Sequence, residues 1–175
     1  ASALDLGADI VVQSAHKTLP AMTMASFMHV KSQLVSEERI NHYLRMLQSS
    51  SPSYLLLASL DDARSYVANY TESDFVYLMD KRKQFIESLT ASTQLQVVEV
   101  DDCLKLLVRA PGYTGFELKA ALEKMHVYVE LADARQVLLI LPLLKHGDSY
   151  PFADLRIRMK EAMIHLKDQP GKELE

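Results

Sequence analysis

The chain has 175 residues, 49% apolar and 24% charged, which is the profile of a globular protein and not of a disordered one. Its 19 basic against 23 acidic side chains give a net charge of −4, and no basic stripe of the kind that grips nucleic acid appears. The single cysteine, Cys103, excludes an intramolecular disulfide and suits a reducing, cytoplasmic setting. No apolar run reaches the length of a membrane-spanning helix, and no signal-peptide pattern opens the chain.

Ala1 to Leu6 reads as the tail of a helix with Gly7 as its C-cap, so a chain whose first half is missing is expected. Ile10-Val11-Val12 is an apolar run too short for a helix. It predicts a buried strand of a parallel sheet, covered on both faces. It ends in a polar cluster, Ser14, His16 and Lys17, at the kind of sheet edge where α/β folds place ligands. A lysine amine shielded from water loses its proton more readily and can then form a Schiff base with a carbonyl cofactor.

Residues 25–30 predict a second strand. Ser36 followed by Glu37 and Glu38 opens a helix whose apolar positions Ile40, Tyr43, Leu44 and Leu47 keep helical spacing. The serine run 49–51 breaks it before Pro52. Such a run is a polar loop, or a cluster of hydroxyl and amide donors that holds an anion. Ser53 caps a further helix to about Tyr70, and Thr71 opens a long one to about Thr90.

The composition then changes. Strands are expected at 95–100, 104–109, 127–131 and 137–141, with a capping box Thr114-Gly-Phe-Glu117 starting a helix and an amphipathic helix at 152–166. Lys167 to Glu175 is polar and expected to fray. The resulting organisation is residues 1–70 as part of a large α/β domain, 71–92 as a connecting helix, and 93–175 as a small α+β domain. The six histidines show no metal-ligand spacing, and no dinucleotide, Walker or hydrolase motif is present, so the Lys17 cluster stands as the candidate site.

Four segments together narrow the reading: Gln13-Ser-Ala-His-Lys-Thr-Leu19, Met24-Ala-Ser-Phe-Met-His-Val-Lys31, Ser50-Ser-Pro-Ser-Tyr54 and Ala58-Ser-Leu-Asp61. In order and separation they resemble the prokaryotic ornithine/lysine/arginine decarboxylases, fold-type I enzymes dependent on pyridoxal 5′-phosphate. The resemblance covers the C-terminal part of that family's cofactor-binding domain and the small domain after it. It implies decarboxylation of a basic L-amino acid to an amine for polyamine metabolism, and a homodimer or larger homo-oligomer with shared active sites.

On this resemblance Lys17 holds the cofactor as a Schiff base, Ser14 binds its phosphate, and His16 lies against the cofactor or the substrate carboxylate. Ser49 and Ser50 reach a phosphate in a neighbouring subunit. Glu130, in Val127-Tyr-Val-Glu130, faces the distal cation of the substrate, a pairing that electrostatics favours. Met24 departs from the glutamine of several relatives. The aspartate that pairs with the cofactor's ring nitrogen, and the residue stacked on the ring, belong upstream of Ala1. Another fold-type I reaction such as aminotransfer, and a non-catalytic piece lacking half of the site, remain the alternatives.

Overall fold

The computed structural model describes residues 2–167, and the polar tail expected to fray lies almost wholly outside them. The chain separates into two compact units, one ending at Tyr70 and the other beginning at Thr71.

The first unit contains β1 (Ile10–Ser14), β2 (Ser26–Val30), α1 (Glu37–Leu47) and α2 (Tyr54–Ala68). Gly7, at φ +99°, ends the turn that precedes β1, a conformation glycine adopts without steric cost. β1 and β2 form a two-stranded antiparallel ribbon with Val12 opposite Met28 and Ser14 opposite Ser26. This corrects the expectation of a buried parallel strand. A parallel partner needs a long crossover, whereas the short 15–25 segment folds directly back. Among the described residues no third strand flanks the ribbon, and Val12 is 63% exposed. An apolar triplet records what a strand can bury and not what covers it.

The base of the ribbon is pinned by side-chain bonding. Ser32 donates its hydroxyl to Asp9 Oδ1 at 2.6 Å, and Ser32 Oγ itself accepts the amides of Leu34 and Val35. Ser36 then caps α1 by accepting the Arg39 amide, and Ser53 caps α2 by accepting the Leu56 amide, as the sequence predicts. α1 is amphipathic, yet none of its residues is buried, and Tyr43, Met46 and Leu47 are exposed.

The second unit contains α3 (Glu72–Ser92), β3 (Gln96–Val98), β4 (Lys105–Arg109), α4 (Gly115–Lys124), β5 (Leu131–Ala132), β6 (Val137–Ile140) and α5 (Phe152–Lys167). Its sheet runs β3-β4-β6-β5, antiparallel throughout. Burial alternates along β4 and β6, so Leu106 and Leu139, and Val108 and Val137, meet as cross-strand pairs on one face. α3, α4 and α5 supply Phe85, Leu89, Leu118, Leu122, Met159 and Met163 to the same core. Helices thus cover one face of an antiparallel sheet.

Two boundaries differ from those predicted. The helix expected as a connector is α3, and it is integral to the second unit because Leu78, Phe85 and Leu89 are buried there. The strand expected at 127–131 is confined to Leu131–Ala132. His126 adopts φ +57°, and the Val127 amide bonds back to Leu122, so the chain leaves α4 in a turn. Pairing with β6 begins only where the Glu130 amide reaches the Leu138 carbonyl.

Candidate functional site

β1 delivers Ser14 to the end of the ribbon, and the ladder continues one step further, with the Ala15 amide donating to the Ala25 carbonyl at 3.2 Å. Ala15 is buried to 1% exposure. Its own carbonyl accepts the amides of Leu19, at 2.9 Å, and Thr18, at 3.4 Å. The chain therefore reverses in a tight turn over 15–19 whose anchor is buried and whose outer residues are His16 and Lys17. A small residue at position 15 lets the turn lie close to the body of the unit.

Ser14 and Lys17 are exposed and His16 is half-buried. The ring nitrogen Nδ1 of His16 is buried without a hydrogen-bond partner among the described residues. Buried polar atoms are nearly always paired, so this orphan leaves a bonding position that a polar group from outside the described residues could fill. A hydroxyl, an imidazole nitrogen in need of a partner and a primary amine within four residues form a donor set that fits a phosphate-bearing aldehyde such as pyridoxal 5′-phosphate. The shielding of Lys17 from water expected of a buried strand end is not found, for the same reason that β1 is exposed.

The serine run follows α1. Ser49 Oγ accepts the Ser51 amide at 3.2 Å and Ser50 is exposed. Among the described residues no hydrogen bond joins Ser49 or Ser50 to the Lys17 turn. Glu130 lies in the second unit with its side chain exposed and its amide bonded to Leu138 at the entry to β5. The structure thus keeps Ser14, the last residue of β1, next in the chain to the turn that carries His16 and Lys17, and leaves Ser49, Ser50 and Glu130 on other elements.

One further residue belongs to the surroundings of the turn. Ser59, on α2, accepts the amide of Met22 at 2.7 Å. The sequence contained the residue within Ala58–Asp61, but a bond across 37 positions leaves no local signal. A cleft of about 390 Å³ between the ribbon and α1 is lined by Ile10, Met28, Ile40, Tyr43, Leu44 and Leu47, and none of the Lys17 cluster enters it. Among the described residues, no three His, Cys, Asp or Glu side chains are grouped as metal ligands, and no helix is long and apolar enough to cross a membrane.

Residues 1–106 match the family described as Orn/Lys/Arg decarboxylase, major domain. The uncharacterized Bacillus subtilis protein YaaO is 48% identical over 151 residues, 81% of this chain and 32% of that protein. Arginine decarboxylases of Halalkalibacterium halodurans and Bacillus subtilis are each 31% identical, over 94% and 98% of this chain and 36% of their own length. The chain thus spans about a third of the length of the curated relatives it matches.

Among solved structures, the constitutive lysine decarboxylase of Escherichia coli aligns with a TM-score of 0.66 at 16% identity. The Francisella novicida lysine decarboxylase LdcF aligns with a TM-score of 0.59 at 20% identity. Each alignment covers 91% of this chain and 28% of the other, and at such identity the likeness is one of fold.

Proposed function

Because the chain belongs to the Orn/Lys/Arg decarboxylase family, we propose that it carries the lysine-bearing wall of a site that removes the α-carboxyl group from a basic L-amino acid. The observation that supports this most directly is the 15–19 turn, which presents Lys17 beside Ser14 and a His16 whose buried Nδ1 has no partner among the described residues.

Pyridoxal 5′-phosphate, when bound, supplies the electron sink that lets a bond at Cα break. The chain's own residues do the rest. Lys17 Nζ holds the cofactor through its aldehyde carbon. Ser14 Oγ donates to the phosphate, where one hydrogen bond to a charged group stabilises by about 1.5–3 kcal/mol. His16 would lie against the cofactor or the substrate carboxylate, and its Nδ1 could serve the carboxylate only as an N–H donor. Ser49 and Ser50 extend phosphate binding into the site of a second subunit, so the working form is a homo-oligomer. Glu130 pairs with the distal ammonium or guanidinium of the substrate, and so selects for a basic side chain.

The test uses the protein expressed from the whole reading frame that contains this sequence. Its visible absorbance with added pyridoxal 5′-phosphate is recorded, and its products from lysine, arginine and ornithine are identified. Lys17→Ala is expected to abolish both the cofactor band and CO₂ release. A variant that keeps both sinks the assignment, and release of a keto acid without CO₂ favours aminotransfer.

A further inference from the structure

Lys17 is joined to β2 by a segment with unusual backbone. Met24 adopts φ +81°, a left-handed conformation in which a side chain with a Cβ is strained. Such a residue persists only where its neighbours are fixed on both sides. On one side, next to Met24, the Ala25 carbonyl accepts the Ala15 amide. On the other, the Met22 amide donates to Ser59 Oγ at 2.7 Å.

The two anchors differ in kind. The bonds from Ala15 to Ala25, Leu19 to Ala15 and Ala21 to Leu19 close the segment on itself. The Met22–Ser59 bond ties it to a separate element, α2. Serine inside a helix usually turns its hydroxyl to its own backbone or to water, whereas here the hydroxyl takes an amide from a distant segment. Ala63, four residues on and therefore on the same helix face, is fully buried and is the one buried residue of α2. The face of α2 that carries Ser59 is thus the face packed inward.

We propose that Ser59 is a positioning residue for the cofactor lysine: by holding the Met22 amide it fixes the segment after Lys17 against α2, and so sets how firmly the Lys17 turn retains its cofactor. The inference rests on the decarboxylase reading and refines it. Ser59 touches neither substrate nor cofactor in this scheme, and its effect passes through the backbone from Met22 to Lys17.

The test compares Ser59→Ala and Ser59→Thr in the protein expressed from the whole reading frame. Three readouts are taken: hydrogen exchange of the peptide spanning 18–25, retention of pyridoxal 5′-phosphate on dilution, and kcat and KM separately. Ser59→Ala is expected to speed exchange of that peptide and to weaken cofactor retention, each by about tenfold. It should also lower kcat more than it changes KM, and Ser59→Thr, which keeps the acceptor, should restore all three. If Ser59→Ala yields no folded protein, Ser59→Cys, with a sulfur that is only a weak acceptor, is read in its place.

Wild-type exchange and cofactor retention in Ser59→Ala overturn the proposal, as does a lowered unfolding temperature with neither altered. Failure of the underlying reading looks different: the cofactor band then survives Lys17→Ala, whatever Ser59 does.

Discussion

The carboxylate of Asp74, at the start of α3, accepts the backbone amide of His146 at 2.8 Å, 72 positions further along the chain. The same carboxylate also accepts the amide and the hydroxyl of Thr71. The His146 amide is the largest influence and the Thr71 donors follow, and together they hold the Asp74 carboxyl at about 2, below its ordinary 3.8. Burial opposes them, and the nearby Lys145 charge assists. The folded state therefore favours the ionised form. Its stabilisation is complete above pH 4 and is lost as the pH falls from about 4 to about 2. Urea unfolding followed across that window is expected to show a midpoint that drops with acid, and Asp74→Asn to flatten the drop. An equal drop in Asp74→Asn would assign the acid sensitivity to other carboxylates.

Gly115, the first residue of α4, is buried where the helix meets the 133–136 turn. A Cβ at this position would collide with the backbone carbonyls of Gln136 and Asp133. Neither carbonyl can swing aside as a side chain would, because the Gln136 carbonyl accepts the Asp133 amide at 2.9 Å and Asp133 Oδ1 accepts the amides of Arg135 and Gln136. Gly115→Ala is expected to destabilise the protein by about 3 kcal/mol, the upper end of overpacking costs. A urea midpoint equal to that of the wild type would show that the turn yields.

Beside it, Thr114 and Glu117 form a reciprocal cap. Thr114 Oγ1 accepts the Glu117 amide at 3.1 Å, and Glu117 Oε2 accepts the Thr114 amide at 2.8 Å. Thr114→Ala should cost about 1 kcal/mol. Because each residue bonds the other's backbone, Thr114→Ala and Glu117→Ala are expected to combine with a total below the sum of the single losses. Strict additivity in denaturant unfolding would contradict the reciprocity.

These cases mark what could be read from residues alone. Ser36, Ser53 and Thr114 were legible as caps because a cap is settled within four residues. The helices were legible because their apolar spacing is local. The surroundings of β1 were not, since Ile10, Val11 and Val12 are equally at home in a buried parallel strand and in the exposed ribbon that forms. Val127 and Tyr128 alternate in burial like a strand, yet they make no ladder, because His126 turns the chain first. At the candidate site, the adjacency of Ser14, His16 and Lys17 is trivial in sequence. The buried Ala15 that anchors their turn, the orphan His16 Nδ1 and the Ser59 bond to Met22 all depend on folding and left no pattern to find.

Glu130 gives the clearest test of substrate choice under the proposed function. Its carboxylate is exposed in the second unit, while its amide is fixed to the Leu138 carbonyl at 2.9 Å, so its backbone position is set by β6. Glu130→Gln keeps the size of the side chain and removes only the charge. A charge-assisted hydrogen bond to a distal ammonium or guanidinium contributes about 1.5–3 kcal/mol, so its loss should raise KM for the basic substrate by roughly ten- to a hundredfold. Turnover at saturation should change far less, because the bond is made equally in the ground and transition states. Steady-state kinetics with lysine, arginine and ornithine would show the effect on whichever amino acid is decarboxylated. An unchanged KM would remove Glu130 from the site and leave it a surface carboxylate at the entry to β5.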